Sequence, residues 1–304
     1  MQRKNFYDEI SKNKTRSFIL LLAVFIVLVA IGYAISFAFS PDYFILIMSM
    51  SIILSLIYVL ATYYNSDKIA LSSVKAVPAD EKKYQHLHNI IEGLCIGEGI
   101  PKPKVYIMEN ENINAFASGR DPNHAIICVT TGTIKKLNNS ELEGVLAHEI
   151  SHIKNYDMRF MTVVAVVVGA IAIFSQIFLR SLMFGGMKGK SDSNRGGAAI
   201  IIFVLIGVAL AILAPLIVKL VQLGISRKRE FLADSSAAKL TRFPKGLANA
   251  LKKIKTEVVD KKNTKQISSA LAPLFISDPF KKKVQNLFST HPPLEKRIEI
   301  LEGM

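Results

Sequence analysis

Four long apolar runs constrain this chain more than any other feature of its sequence. They cover residues 18–39, 43–64, 160–179 and 198–223, and none contains an acidic residue. Each run is close to the ~20 residues that a helix needs to cross ~30 Å of hydrocarbon. The one cation, Lys219, lies near the end of the fourth run, where its side chain can reach the membrane surface. The sequence therefore predicts four transmembrane helices.

Four buried helices of a soluble core are the alternative interpretation of these runs. Half of the residues are hydrophobic and 20% are charged. The polar remainder is too small to cover four helices that are apolar on every side. A cleaved signal peptide does not explain the first run either, because that run is long and a second one follows at once. Membrane insertion with the first span retained is the better interpretation.

The basic residues around the first two runs predict how the spans cross the membrane. The short connection between these runs, residues 40–42, contains no Lys or Arg. The segment before the first run carries five cations: Arg3, Lys4, Lys12, Lys14 and Arg16. Because positive residues concentrate on the cytoplasmic side, the N-terminus is predicted to be cytoplasmic. An even number of spans returns residues 65–158 and 224–304 to that side of the plasma (inner) membrane.

The formal charge of +14 has three interpretations. Nucleic-acid binding is not supported, because no helix-turn-helix, RNP or zinc-finger spacing accompanies the charge. A basic face against anionic lipid fits a membrane protein better, and scattered pairs such as Lys252 and Lys253 indicate an ordinary solvated surface. The two cysteines, Cys95 and Cys128, belong to no CxxC pair, and we interpret both as reduced structural residues.

The segment between the second and third runs predicts a small sheet among helices. Residues 82–97 carry apolar side chains at helical spacing. Turn-forming residues at 118–123 predict a hairpin between two strands. Short apolar stretches predict three strands, at 105–108, 114–117 and 125–130.

A metal-binding motif, His-Glu-Ile-Ser-His, follows these strands. Ser140 is predicted as the N-cap of the helix that carries it, with Glu143 as its capping-box partner. Positions four apart lie on one helical face, so His148 and His152 can bind a single ion. Glu149 follows the first histidine and can address a metal-bound water without binding the metal itself. The motif predicts metal-dependent hydrolysis.

A catalytic zinc site needs a third protein ligand and an open position. Glu230 is the candidate, and Asp234, four residues on, shares its helical face. Asp234 can accept the N–H of a ligating histidine and fix its ring. A solvated charge cluster with neighbouring basic residues is the alternative for this pair. The apolar hairpin between the motif and Glu230 favours the metal site, because two spans return the chain to the face that it left.

These segments together resemble the HtpX family of membrane metallopeptidases, which are relatives of the Ste24-type prenyl-protein proteases. The resemblance runs over nearly the whole chain. Besides the double span, the His-Glu-Ile-Ser-His helix and the apolar hairpin, it rests on Asn114-Ala115-Phe116-Ala117, Val129-Thr130-Thr131-Gly132, residues 230–234, His291-Pro292-Pro293 and Arg297. It implies an α-helical membrane protein with four transmembrane helices and a cytoplasmic α+β zincin-like (gluzincin) metalloprotease domain.

The resemblance implies one zinc ion per chain, bound by His148, His152 and Glu230, with Glu149 as the catalytic carboxylate. It also implies proteolysis of misfolded or damaged membrane proteins, in quality control and the stress response. The partners would be such unfolded substrates and the lipid bilayer, without nucleic acid. The predicted parts are 1–64 with two spans, 65–158 with the sheet and motif, the transmembrane hairpin 159–223, and the helical part 224–304.

Further residues near the reacting bond follow from the resemblance. His291 is predicted to stabilise the oxyanion, with Arg297 as a second helper. A histidine that only caps the following helix is an equal alternative for His291. Residues 114–117 are predicted to bind the substrate backbone as an edge strand. No role is predicted for Asn155 and Asp157.

Three alternatives to a quality-control endopeptidase stay open. Cleavage of prenylated tails uses the same metal chemistry, but it calls for a larger intramembrane chamber than four spans build. A membrane scaffold with structural zinc would fill all four metal positions with protein ligands, whereas three are found here. A transporter would carry charged residues in the middle of its spans, which these runs lack.

Overall fold

The computed structural model describes residues 6–38, 43–159, 227–257, 275–276 and 292–304. The predicted spans at 160–179 and 198–223 lie outside the described residues, and so does His291. The predictions made for them therefore stay predictions.

Two long helices open the chain. Helix α1 covers Phe6–Ala38, helix α2 covers Phe44–Tyr64, and the two pack against each other. Each contains a window long and apolar enough to cross a membrane, Asn13–Ala30 and Phe44–Tyr64. Only 18% and 11% of these two windows are buried. Helix α1 begins well before residue 18, because the polar residues ahead of the apolar run continue the same helix.

A four-stranded mixed sheet follows the short helix α3 (Ser66–Ser73). Its strands are β1 (Val77–Pro78), β2 (Lys104–Met108), β3 (Ala115–Gly119) and β4 (Ala125–Thr130). The spatial order is β1-β2-β4-β3, with β2 and β4 parallel and the other two pairs antiparallel. The predicted hairpin is confirmed as β3–β4, closed by a turn at Pro122–His124. The two-residue β1 was not predicted, since it is too short to show alternation.

Alternate residues of the sheet enter two different cores. In β4, Ile127 and Val129 join the main core, whereas Ile126 and Cys128 join a smaller core beneath α3. All six residues of β4 are buried, as expected for a central strand covered on both faces. In the smaller core Phe116 packs against Phe275, with ring centroids 5.0 Å apart. Both faces of the sheet are therefore held by packed side chains.

The main core is completed by helices on the other side of the sheet. Helix α4 runs from Gln85 to Glu98, close to the predicted range 82–97. Its C-cap is Gly99, which has a positive φ of 68°. The remaining helices of the described ranges are α5 (Thr131–Lys136), α6 (Asn139–Lys154), α7 (Arg227–Thr241), α8 (Pro244–Thr256) and α9 (Leu294–Glu302). Helix α6 contacts α4, α7 and α8, so the motif helix lies at the centre of this layer.

The predicted N-cap of α6, Ser140, is wrong. The cap is Asn138, whose Oδ1 accepts the N–H of Glu141 at 3.0 Å, while Glu141 Oε2 accepts the N–H of Asn138 at 2.9 Å. Asparagine caps helices as well as serine does, and this pair has the same three-residue spacing. Glu141 also accepts a hydrogen bond from Lys253 of α8 at 2.6 Å. The start of the motif helix is therefore tied to a neighbouring helix.

Two glycines allow α6 and α8 to cross at close range. A Cβ on Gly144 would lie 2.6 Å from the backbone nitrogen of Leu247. A Cβ on Gly246 would lie 2.4 Å from the carbonyl oxygen of Ser140. Real Cβ atoms do not approach backbone atoms this closely, so both positions require glycine. Gly144 lies one turn before the first histidine of the motif.

Candidate metal centre

Helix α6 brings the two histidines of the motif together. His148 and His152 are one turn apart, with ring centroids separated by 4.7 Å. Their Nε2 atoms lie 3.2 Å apart. His148 is buried, whereas the side chain of His152 is 16% exposed. The helical spacing thus turns two imidazoles toward one point.

Glu230 of helix α7 completes a set of three ligand atoms. Its Oε2 lies 3.7 Å from His148 Nε2, and its Oε1 lies 3.6 Å from His152 Nε2. The possible ligand atoms of the three residues all lie within 4.8 Å of one another. The segment that separates the motif from α7 in sequence does not separate them in space, so the predicted ligand set is assembled.

The far side of each imidazole faces a carboxylate. His148 Nδ1 lies 3.0 Å from Asp234 Oδ1, and His152 Nδ1 lies 3.1 Å from Asp157 Oδ2. With a metal ion bound, each Nδ1 would carry the proton that it donates to its carboxylate, which leaves the Nε2 lone pair for the ion. Two such lone pairs and the carboxylate of Glu230 repel one another unless a cation lies between them. The donor set fits zinc, which takes imidazole and carboxylate ligands.

The charges around the centre also favour a divalent cation. Burial lowers the pKa of His152, but Asp157 and the charges of Glu230 and Glu149 outweigh burial and raise that pKa to about 9. Among the described residues of this group, the carboxylates outnumber the guanidinium groups by four to two. Its members are Glu149, Asp157, Glu230, Asp234, Arg229 and Arg297.

Arg297 of helix α9 anchors Asp234 with two hydrogen bonds. Its Nε donates to Oδ2 at 2.8 Å, and its Nη2 donates to Oδ1 at 2.6 Å. Its Nη1 donates to the carbonyl of Ile276 at 3.2 Å and lies 3.5 Å from Glu230 Oε2. Burial alone would raise the pKa of Asp234, but Arg297 and the hydrogen bond to His148 hold it below its ordinary value. The Arg297 guanidinium thus binds Asp234, the carboxylate that faces His148, and lies close to Glu230.

Glu149 lies between the two histidines in the sequence. Its side chain is buried and faces strand β3. Burial raises its pKa to about 7, and the charge of Glu230 adds to this effect. The charge of His152 and a hydrogen bond from the backbone N–H of Ala117 oppose it. A carboxylate with a pKa near neutrality can both accept and release a proton, as a general base and acid must.

The predicted substrate strand lies beside Glu149, and part of its edge is occupied. The N–H of Ile276 donates to the carbonyl of Ala115 at 3.0 Å, beside a bridge between Phe116 and Phe275. The N–H of Asn114 is directed inward, to the hydroxyls of Thr130 at the end of β4 and Thr133 in α5. Within the predicted set, Ala117 is the residue whose backbone donates a hydrogen bond to Glu149.

Sequence reasoning missed Asp157, and the structure explains why. Helical periodicity places partners three or four residues apart on one face, but Asp157 comes after the end of α6. The chain turns back at Tyr156, whose φ of 58° lies in the left-handed region. Asp157 is thereby returned to the second histidine. Its position two residues beyond Asn155, the C-cap of α6, was a signal, but a non-glycine left-handed turn is not readable from sequence.

Comparison with known proteins agrees with this geometry. Residues 81–304 match the sequence profile of Peptidase family M48. A "Protease HtpX homolog" of Thermoanaerobacter pseudethanolicus is 45% identical over 306 residues, covering 100% of this chain and 99% of that protein. One of Caldanaerobacter subterraneus subsp. tengcongensis is 43% identical, with 100% and 99% covered. The crystal structure of S. mikatae Ste24p matches 97% of this chain and 67% of its own, with a TM-score of 0.49 and 20% identity. A structural likeness at that level carries no conclusion.

Proposed function

This chain belongs to peptidase family M48 and is a metalloprotease, and we propose that it is a zinc-dependent endopeptidase whose zinc is held by His148, His152 and Glu230. The observation that carries the proposal is the convergence of both Nε2 atoms and the Glu230 carboxylate on one point, with Glu149 buried beside them. Both imidazoles are oriented by carboxylates on their other nitrogens, an arrangement typical of metal ligands.

The chain's own residues divide the reaction between them. When bound, zinc supplies a Lewis acid for the attacking water and the scissile carbonyl. Glu149 accepts the proton of the attacking water and delivers it to the leaving amine, for which its pKa near 7 is suited. Asp234 and Asp157 keep the imidazoles in the ligating tautomer. Arg297 keeps Asp234 ionised, and we favour this anchoring role over direct contact with the oxyanion, which we assign to His291.

Strand β3 is the proposed binding site for the substrate backbone. Within the described part of the chain, β3 is the last strand of the sheet, and its other edge carries only the bridge to Phe275. Backbone pairing with an edge strand tolerates many sequences, which suits a protease of unfolded chains. The contact between Ala117 and Glu149 would bring the paired substrate next to the catalytic carboxylate. A proline at Ala115 that left cleavage of an unfolded protein unchanged would contradict this assignment.

We propose further that the enzyme is anchored in the plasma (inner) membrane, with its active site on the cytoplasmic side. Helices α1 and α2 supply two spans, and the basic residues before the first span support a cytoplasmic N-terminus. The apolar runs at 160–179 and 198–223 supply two more. Misfolded or damaged membrane proteins are the proposed substrates, because the metal centre is close to the helices that would enter the bilayer.

The proposal is tested with the full chain purified in detergent without metal. Zinc is added back to wild type, Glu149→Gln and Glu230→Gln, and both zinc binding and cleavage of unfolded casein are measured. We expect wild type to bind and cleave, Glu149→Gln to bind without cleaving, and Glu230→Gln to lose most of its zinc. If wild type binds zinc and does not cleave casein, the endopeptidase assignment is wrong, and cleavage of prenylated peptides becomes the next assay.

A further inference from the structure

The carboxylate that orients His152 is itself held by two side chains from distant parts of the chain. Asp157 uses Oδ2 for His152, at 3.1 Å. Its other oxygen, Oδ1, accepts a hydrogen bond from Asn13 Nδ2 at 2.7 Å and one from Arg229 Nη1 at 3.2 Å. A carboxylate bound through both oxygens cannot rotate without breaking one set of contacts. The orientation of the His152 ring therefore depends on what holds Oδ1.

Asn13 lies in helix α1, at the first residue of the apolar window. It is 1% exposed, although its neighbours Lys14 and Thr15 are exposed. Its Nδ2 donates a second hydrogen bond to the carbonyl of Asn155 at 3.0 Å, and its Oδ1 accepts one from Arg229 at 3.2 Å. Both ends of its amide thus bind the network around Asp157. Burying a polar side chain is costly unless its groups are hydrogen-bonded, as they are here.

The turn after α6 is also held by α1. Tyr156, between Asn155 and Asp157, adopts the left-handed conformation with φ at 58°, which is unfavourable for a residue with a Cβ. Its ring lies beneath the ammonium of Lys14, 4.5 Å from the nitrogen to the ring centroid. Two consecutive residues of α1 therefore contact the turn that returns Asp157 to the metal centre.

The same network reaches the third ligand. Arg229, which binds both Asn13 and Asp157, directly precedes Glu230 on helix α7. One hydrogen-bonded group thus joins α1, the turn after α6 and the first turn of α7. Only α1 among these carries an apolar window within the described residues. A shift of α1 would move Asn13. Through Asp157 and Arg229, that shift would change the positions of two of the three proposed ligands, His152 and Glu230.

We propose that Asn13 is a positioning residue for the metal centre: by holding Asp157, the N-terminal helix sets the orientation of the ligand His152. The proposal rests on the proposed function, in which His152 binds zinc. Loss of a partner that orients a ligating histidine typically weakens metal affinity about 10- to 100-fold. Asn13 acts one bond further away, so we expect the lower end of that range.

The test measures zinc affinity of the full chain in detergent micelles, by competition with a chromophoric chelator. We expect Asn13→Ala to raise the zinc dissociation constant about tenfold and to change the absorption spectrum of bound Co²⁺. The matched control is Ser17→Ala, on the same helix. Ser17 is also buried, and its hydroxyl donates to the Asn13 carbonyl at 2.9 Å rather than to Asp157. Melting of the metal-free proteins records any loss of stability separately. If both variants lower the melting temperature and neither changes zinc affinity, Asn13 is merely structural and the proposal is overturned.

A double-variant cycle tests the path through Asp157. Asp157→Asn should weaken zinc binding by itself, and Asn13→Ala added to it should have less than about a twofold further effect, because residues of one network are not additive. Multiplicative effects would overturn the proposed path. His152→Ala separates a failure of the proposed function from a failure of this inference. If it leaves zinc binding unchanged, the proposed function is wrong, whereas zinc binding that depends on His152 but not on Asn13 overturns this inference alone.

Discussion

Substitution by alanine should lower the stability of the protein at Gly144, where α6 crosses α8, and raise it at Gly93 of α4, where there is space. Gly144→Ala would place a Cβ 2.6 Å from the nitrogen and 2.9 Å from the Cα of Leu247. Both are backbone atoms, so α8 must move by several tenths of an ångström or more to restore normal contact. Gly93→Ala, on the exposed face of α4, would meet nothing within 4 Å. The two variants therefore have the same chemistry and differ in the space available.

The expected magnitudes follow from two opposing effects. Alanine is favoured over glycine inside a helix by about 1 kcal/mol, and Gly93→Ala should gain most of this. Overpacking costs about 1–3 kcal/mol, and a backbone contact belongs at the upper end because it cannot rotate away. Gly144→Ala should therefore lose about 1–2 kcal/mol net. A change of 1 kcal/mol moves the melting temperature by roughly 2–4 °C in a domain of 150–250 residues.

Cys95 and Cys128 provide the assay. Both thiols are buried, so a maleimide dye that fluoresces on reaction reports their exposure as the protein unfolds in detergent at a fixed heating rate. We expect a midpoint several degrees below wild type for Gly144→Ala and slightly above it for Gly93→Ala, with circular dichroism as the independent probe. A Gly144→Ala midpoint equal to or above that of wild type would refute the close crossing.

Three further outcomes are expected. Arg297→Met leaves the carboxylate of Asp234 buried without its guanidinium partner and should destabilise the protein by about 3–5 kcal/mol; a melting midpoint within about 2 °C of wild type, a shift that corresponds to roughly 1 kcal/mol or less, would contradict this. Burial raises the pKa of Cys95 to about 11 and that of Cys128 further still, so iodoacetamide at neutral pH should label neither thiol in the folded protein and both after denaturation, as counted by mass spectrometry. Thr130→Val removes hydroxyl bonds to the backbone of Asn114 at 3.1 Å and should cost about 1–3 kcal/mol, read as a lower denaturant midpoint with unchanged slope.

Features set by local periodicity could be predicted from the sequence. The spacing of His148 and His152 on one helix follows from 3.6 residues per turn, and the structure places their Nε2 atoms 3.2 Å apart. The two N-terminal apolar runs form helices, and no charged residue or proline interrupts either of them. The β3–β4 hairpin was readable from the turn-forming residues between two apolar stretches.

Features set by contacts between distant segments could not be predicted in this way. Asp157 lies next to His152 only because Tyr156 reverses the chain, and Asn13 reaches it across 144 residues. Arg297 anchors Asp234 from a separate helix. Even the N-cap of α6 depended on a choice between Asn138 and Ser140, which satisfy the same local rule. Hydrogen-bond partners of this kind leave no periodic trace in one sequence.

The position of Arg297 has a consequence for the order in which the protein matures during synthesis. The guanidinium that neutralises Asp234 lies on α9, 63 residues after Asp234 in the sequence. Until α9 leaves the ribosome, the histidines and Glu230 are already present, but Asp234 lacks its counter-ion and His148 lacks its fixed support. We expect proteolytic competence to arise only after Arg297 has left the exit tunnel and bound Asp234. Nascent chains on one messenger RNA would therefore not cleave one another before α9 has folded.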